Sequence, residues 1–283
     1  MPVLPLQYGR GCKYNCEFCS VNAFYGKTLR QRPILNVVRE LENLSKNYLF
    51  IVDDNILNDI SKAKELFEAL IPLNVRWACQ VSIDIARNER LLRLMAISGC
   101  VVLIVGFESL DTRNLHMMKK GWNVNGSDYR DAIQKIRNNG IMLYGTFVFG
   151  YDYDTINSFK ICTDFAIENK FVLANFNPLT PMPGSELYDR LKKEKRLLYE
   201  KWWIDPSYRY GQAIFTPKGM TAEELTAGCY TARNVFNTFS SIGKRALDFQ
   251  TNSRGLARFG LYLRSNLVSR KEIHSKQGKQ LGI

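Results

Sequence analysis

Three cysteines fall within eight residues, Cys12-Lys13-Tyr14-Asn15-Cys16-Glu17-Phe18-Cys19, separated by three and then two residues. Thiolates are soft ligands that select iron–sulfur clusters, zinc or Cu(I). A structural zinc site and a fully protein-ligated cubane both need four donors. The fourth is missing nearby: the two histidines, His116 and His274, are remote in sequence, and the next cysteine is Cys79. Three thiolates around a 4Fe–4S cubane leave one iron open to a further ligand. The plainer alternatives are a zinc knuckle short of a donor or a chance cluster of buried cysteines.

The CxxxCxxC spacing, with an aromatic just before the third cysteine, resembles the signature of the radical S-adenosylmethionine (radical SAM) superfamily. The resemblance implies that Cys12, Cys16 and Cys19 hold a 4Fe–4S cluster whose open iron is chelated by the amino and carboxylate groups of S-adenosylmethionine. One electron from the cluster then cleaves the sulfonium and releases a 5′-deoxyadenosyl radical. Phe18 stands where the family places an aromatic beside the adenine; its other reading is a core aromatic.

A chain of 283 residues is long enough for one large α/β domain, and its hydrophobic and charged fractions are those of a globular protein. The elements alternate. Val3–Tyr8 reads as a short strand, with Pro5 favouring an edge position. A basic connector, Lys27 to Arg32, precedes a helix over 33–46 opened by Pro33. Tyr48–Asp53 is a continuous apolar run ending in acid, the pattern of a strand covered on both faces. Helices at about 61–71 and 88–98 flank a strand at about 75–83. The strand Val101–Phe107 leads to helices near 111–119 and 127–139. Ile141–Phe149, a helix at about 155–169, Phe171–Asn177 and a helix near 185–195 complete six βα units. Such alternation implies a parallel sheet with right-handed crossovers. The expected fold is α/β: a partial (β/α)6 TIM-type barrel over 1–198, followed by a mainly helical, basic extension over 199–283. Thr221-Ala-Glu-Glu224 has the form of a capping box, with helices expected over 221–250 and 256–268.

Barrel enzymes carry their chemistry at the C-terminal ends of strands. The second strand ends in Asp53-Asp54-Asn55, where family members often carry Gly-Gly-Glu facing the methionyl ammonium. A carboxylate there suits an ammonium, and a helix N-cap is the other use of these residues. On the third strand Gln80, Ser82 and Asp84 share one face by alternation, and polar groups inside a barrel are costly unless they line a wet or ligand-filled cavity. They are candidates for the cofactor or substrate cavity, or for a buried hydrogen-bond network. The resemblance places Glu108 at the ribose hydroxyls, with an acidic helix cap as the alternative. Gly145–Gly150, with Phe147, resembles the segment that packs on adenine, and Gly150 would let backbone approach the ligand. Asn175 and Asn177 share a face of the sixth strand. Cys79, Cys100, Cys162 and Cys229 read as small core residues.

A closer resemblance runs through Val52-Asp-Asp-Asn, Gly106-Phe-Glu-Ser, Pro181-Met-Pro-Gly and Lys201-Trp-Trp-Ile-Asp-Pro. These look like cobalamin-dependent radical SAM proteins with a C-terminal helical extension, although Lys13 replaces the proline common after the first cysteine. In that group a Rossmann-like cobalamin-binding domain usually precedes the barrel, and here the sequence starts at the first barrel strand. Cobalamin supplied in trans by a separate protein, a fragment of a longer chain, and a cobalamin-free enzyme are the three arrangements this leaves. The resemblance also implies an electron donor of the flavodoxin or ferredoxin type.

The expected function is radical SAM catalysis: hydrogen abstraction from a small-molecule or lipid-like substrate, with methyl transfer where cobalamin is available. An RNA-modifying enzyme and a non-catalytic iron–sulfur remnant are the alternatives. Residues 241–283 hold nine basic residues against two acids, a local charge of +7 out of +12. Solvated surface is the default reading of such a tail. An anionic membrane surface comes next, because Leu256, Phe259, Leu263 and Leu267 recur at helical spacing. Nucleic acid has only the charge in its favour. Residues 1–12 have no basic region followed by an apolar run, and no apolar run approaches the ~18 residues of a spanning helix. The expected setting is reducing and cytoplasmic, with peripheral membrane contact.

Overall fold

The computed structural model describes residues 3–26, 28–44, 48–123 and 129–281. Lys27 of the basic connector, the expected helix end at 45–46 and the expected helix start at 127–128 lie outside them.

Among the described residues the chain forms β1 (Leu4–Leu6), β2 (Gly9–Arg10), α1 (Val21–Tyr25), β3 (Arg30–Gln31), α2 (Ile34–Glu42), β4 (Tyr48–Ile51), α3 (Ile60–Leu70) and β5 (Arg76–Val81). It continues with α4 (Glu89–Ile97), β6 (Cys100–Glu108), α5 (Thr112–Met117), α6 (Tyr129–Asn138), β7 (Met142–Phe149), α7 (Ile156–Glu168), β8 (Leu173–Pro178) and α8 (Glu186–Lys193). The extension holds α9 (Ala222–Phe236), α10 (Phe239–Ala246) and α11 (Leu256–Lys276).

Six strands make one sheet in the order β1-β4-β5-β6-β7-β8. The first four pair in parallel, with Leu4 opposite Leu49, Leu49 opposite Trp77 and Gln80 opposite Ile104. The order follows the chain because each strand returns through a helix on one side. This is the expected partial barrel. A two-stranded antiparallel pair, β2 with β3, joins Gly9 to Gln31 and closes the base of the segment that carries the cysteines. Strands of two residues leave no periodicity to read.

The sheet's two faces differ sharply in exposure. One packs on helices: Leu49, Ile51, Trp77, Cys79, Leu103 and Val105 are all buried. Trp77 stacks on Phe67 of α3 with ring centroids 5.1 Å apart, and its indole N–H donates to the Ser98 carbonyl at 2.9 Å. The other face carries half-exposed residues at alternate positions, among them Phe50, Ala78, Gln80, Val102 and Ile104.

The chain divides into two compact units, residues 1–15, 21–106 and 123–144, and residues 16–20, 107–122 and 145–283. The cut runs through β6 and β7 rather than after residue 198, where the sequence suggests it. In the second unit α9 packs on α7 and β8, so the extension shares a core with the last βα units. Thr221 and Glu224 form the expected capping box at the start of α9. The single helix expected over 221–250 is broken. Asn237 ends α9, its side chain donating to the Arg233 carbonyl, and the Thr238 hydroxyl caps α10 by accepting from Ser241 N–H.

Candidate functional site

In the first unit the segment after β4 holds the chain on both sides of Cys12. Asp53 is buried, and its Oδ1 accepts from Tyr8 N–H at 2.8 Å. Burial pushes its carboxyl up to about 6. Asp54 accepts from Gly11 N–H at 3.0 Å. Asn58 accepts from Lys13 N–H at 3.0 Å and donates to the Gly11 carbonyl at 2.7 Å, while Lys13 Nζ donates to the Leu57 carbonyl at 2.9 Å. Gly11 has φ +92°, and a Cβ there would stand 2.3 Å from the Thr28 carbonyl oxygen, so only glycine fits this turn. Asn55 caps the short 3-10 helix Ile56–Asn58, accepting from Leu57 N–H at 3.1 Å, and donates to Ser82 Oγ at 3.1 Å. The cap expected among these three residues is therefore Asn55, and the two aspartates bind loop backbone.

Gln80 lies on the half-exposed face of β5, as expected. Ser82 and Asp84 do not continue that face by alternation. The strand ends at Val81, Ser82 begins a 3-10 helix over Ile83–Arg87, and Asp84 sits within it. Ser82 is buried against Asn55. Asp84 accepts from the hydroxyl of Tyr14, a residue of the cysteine motif, at 3.0 Å. Burial, and then the neighbouring Asp84, push the Tyr14 phenol up to about 12. The other carboxylate oxygen of Asp84 is buried without a hydrogen-bond partner. Such an atom is costly unless a ligand or water meets it.

In the second unit the remainder of the motif has its own ties. Cys19 N–H donates to the Cys16 carbonyl at 3.1 Å, which makes a tight turn with Phe18 half-buried in it. Glu17, which sequence reasoning did not single out, is buried. Its N–H donates to the Met118 carbonyl and its carbonyl accepts from Leu187 N–H, both at 3.0 Å. Its carboxylate accepts from Tyr151 Oη at 2.9 Å and from Arg190 Nε and Nη2 at 2.6 and 3.1 Å.

Glu108 ends β6 with φ +61°, a left-handed conformation that strains a residue with a side chain. It pairs with Lys120 at 2.8 Å, with both side chains nearly buried. Asp111, not Glu108, caps α5 by accepting from Arg113 N–H at 2.8 Å. Asp154 gathers Gly150 N–H, Tyr151 N–H and Asn114 Nδ2 at 2.9, 3.1 and 3.0 Å, and burial pushes it up to about 6.

Two expected contacts change. Phe147 does not face the open side of its strand: it is fully buried, stacked on Phe107 and Phe176 and edge-on to Phe165 of α7. By alternation the open face of β7 instead presents Thr146 and Val148, both half-exposed, beside Asn175 and Asn177 of β8. Gly150 has φ +111°, but the space a side chain would take is filled by Leu225 and Phe215, each 2.9 Å from an ideal Cβ. Its freedom serves packing of the extension rather than approach to a ligand. Cys79, Cys100, Cys162 and Cys229 are buried, and burial raises the Cys162 thiol to about 12. These are core thiols, as expected.

Among the described residues no three His, Cys, Asp or Glu side chains stand close enough to share one metal ion. In a cubane each cysteine binds a different iron, so the sulfurs lie farther apart than around a single ion. Cys12, Cys16 and Cys19 are all half-buried. Each thiol is thus reachable from solvent, as a cysteine that ligates a soft metal centre must be.

The radical SAM superfamily profile matches residues 6–165, more than half of the chain. The chain belongs to the radical SAM superfamily. Bacteriochlorophyllide d C-12(1)-methyltransferase of Chlorobaculum tepidum is 30% identical over 249 residues, covering 86% of this chain and 53% of that protein. Hopanoid C-2 methylase of Rhodopseudomonas palustris is 27% identical over 205 residues, covering 69% of this chain and 39% of that protein. Anaerobic magnesium-protoporphyrin IX monomethyl ester cyclase of Rubrivivax gelatinosus is 28% identical, covering 77% and 39%. The chain thus spans about half the length, or less, of these relatives. The solved radical S-adenosylmethionine methyltransferase TsrM of Kitasatospora setae, with cobalamin and a [4Fe-4S] cluster bound, shares the fold over 96% of this chain and 61% of its own, with a TM-score of 0.64 at 14% identity. Among the described residues no helix is long and apolar enough to cross a membrane.

Proposed function

We propose that this radical SAM protein binds a 4Fe–4S cluster through Cys12, Cys16 and Cys19 and uses S-adenosylmethionine to modify an unactivated carbon, with methyl transfer as the reaction class. The observation that carries the reading is the cysteine motif itself, pinned by Asp54 and Asn58 at one end and by Glu17 with Arg190 at the other. Methyl transfer is favoured because two of the relatives named above are methylating enzymes. Bound together, the cluster and S-adenosylmethionine supply a 5′-deoxyadenosyl radical able to take hydrogen from carbon.

The protein's own part is binding, orientation and exclusion of water. The unpaired oxygen of Asp84 offers an acceptor for the methionyl ammonium, and Gln80, on the half-exposed face of β5, offers a neutral hydrogen-bonding group. In the second unit Glu108, held by Lys120, keeps a second oxygen for ribose hydroxyls. Thr146, Val148, Asn175 and Asn177 form a mixed polar and apolar wall for a ligand. Cobalamin delivered by a separate protein, and a flavodoxin- or ferredoxin-type reductant, complete the proposed system.

Anaerobic reconstitution tests the assignment of ligands. We expect about four irons and four sulfides per chain, with the charge-transfer band lost in Cys12→Ala, Cys16→Ala and Cys19→Ala. A tetrahedral zinc bound in place of iron, or iron retained by all three variants, would overturn it.

A further inference from the structure

We propose that α11 and the turn before it form a face that docks on an anionic lipid surface, a property independent of the radical chemistry. Only Tyr262 and Asn266 of this 21-residue helix are buried. They fix it firmly: the Tyr262 hydroxyl donates to the Ile242 carbonyl at 2.6 Å, and Asn266 donates to the Val172 carbonyl at 3.0 Å and accepts from Arg245 at 2.9 Å. The helix is therefore held rigidly with most of its surface outward.

Part of what it turns outward is an apolar stripe. Leu256, Phe259, Leu263 and Leu267 recur every three or four residues and so lie on one stripe, and all four are exposed, Leu256 at 91%. The turn between α10 and α11 adds Leu247 and Phe249, exposed at 69% and 75%. Single exposed leucines are unremarkable, but four apolar side chains along one exposed helix stripe mark an interaction surface.

The charge around the stripe selects the partner. Arg264 and Lys271 border one edge and, with Leu263, Leu267 and Gly260, line a shallow apolar depression. Arg270, three residues beyond Leu267, ends the stripe; its guanidinium donates to the Asn237 carbonyl at 2.8 Å and lies 4.5 Å from the ring of the exposed Phe239. Of the two acids in this region, Asp248 is buried and Glu272 is paired with Lys276 at 2.8 Å. An apolar stripe flanked by cations and almost free of acid is what an anionic bilayer surface takes: the apolar side chains enter the acyl boundary while the cations meet headgroup phosphates. No helix among the described residues is apolar enough to span a bilayer, so the contact is peripheral.

Co-sedimentation of the full chain with vesicles tests this. With phosphatidylcholine vesicles carrying about 30% phosphatidylglycerol, at about 0.1 M salt, we expect partition roughly tenfold or more above that on pure phosphatidylcholine. Arg264→Glu with Lys271→Glu should weaken binding about tenfold or more. Phe249→Ser with Leu263→Ser should abolish it at unchanged charge. Leu198→Ser, a change at an exposed leucine outside this face, should leave it unchanged. These positions are exposed, and an unaltered melting temperature will show that each variant folds. Absence of binding to the anionic vesicles, or equal binding by the Phe249→Ser/Leu263→Ser variant, overturns the proposal. So does a dimer in sedimentation velocity that Leu263→Ser disperses while vesicle binding is absent, which would assign the face to a second copy.

Discussion

Glu17, between the second and third cysteines, holds Arg190 of α8 through two hydrogen bonds of 2.6 and 3.1 Å. A residue of the cysteine motif is thereby tied to a helix far along the chain. The Glu17 side chain is 9% exposed and that of Arg190 24%, so removal of one partner strands a charge in a poorly solvated place. Tyr151 adds its hydroxyl to the same carboxylate, and this carboxylate, after burial itself, drives the phenol's pKa upward. Glu17→Ala should cost about 2–4 kcal/mol of stability, discounted for the partial exposure of Arg190. It should also lower iron content. Urea unfolding and iron analysis of the reconstituted variant check the two effects separately.

At the other end of the motif the pins are hydrogen bonds to backbone, one to Asp54 and two to Asn58. Asp54→Ala and Asn58→Ala each leave loop groups of Gly11 or Lys13 unpaired. We expect about 1–2 kcal/mol for each. The larger effect should be on the cluster: faster iron loss to a chelator, with circular dichroism unchanged. Chelator kinetics equal to those of the unsubstituted protein would show that this cradle does not hold the loop.

Asp53 and Asp154 make stability depend on pH. Both carboxyls are pushed to about 6 in the folded chain, mainly by burial, from an ordinary value of 3.8. A raised folded pKa means that the folded state holds more protons than the unfolded chain between these values. Their contribution is full below about pH 4, falls as pH rises and is lost above about pH 6. Each group accounts for up to about 3 kcal/mol over that window. Unfolding free energies measured at about pH 4.5 and pH 7.5 should therefore differ more in the unsubstituted chain than in Asp53→Asn.

Gly150→Ala tests the packing of the extension. The substitution must accept a positive φ and a Cβ 2.9 Å from both Leu225 and Phe215. The expected cost is about 2–4 kcal/mol. Leu225→Ala made on top should cost less than it does in the unsubstituted chain, because the clash is relieved. A double-mutant cycle in urea measures this coupling.

The six strands of the large sheet were legible as short apolar or alternating runs bounded by polar or glycine positions, and the superfamily was legible from the spacing of three cysteines. The parity of a strand buried on one face by aromatics was not: Thr146-Phe147-Val148-Phe149 offers no polar residue on the packed side to set it, so Phe147 reads as an inner residue until its neighbours are seen. The end of β5 was hidden because Gln80, Ser82 and Asp84 keep a period of two while the backbone has already turned into a 3-10 helix. Glu17 was hidden for another reason. Its partner Arg190 stands 173 residues away, and no local pattern announces so distant a pairing.

Once its proposed cluster is reduced, this chain is expected to cleave S-adenosylmethionine. Anaerobically reconstituted protein should be treated with dithionite and S-adenosylmethionine and the products separated by liquid chromatography. We expect 5′-deoxyadenosine from the unsubstituted chain and none from Cys12→Ala, Cys16→Ala or Cys19→Ala. Intact S-adenosylmethionine over a fully loaded, reduced cluster would contradict it.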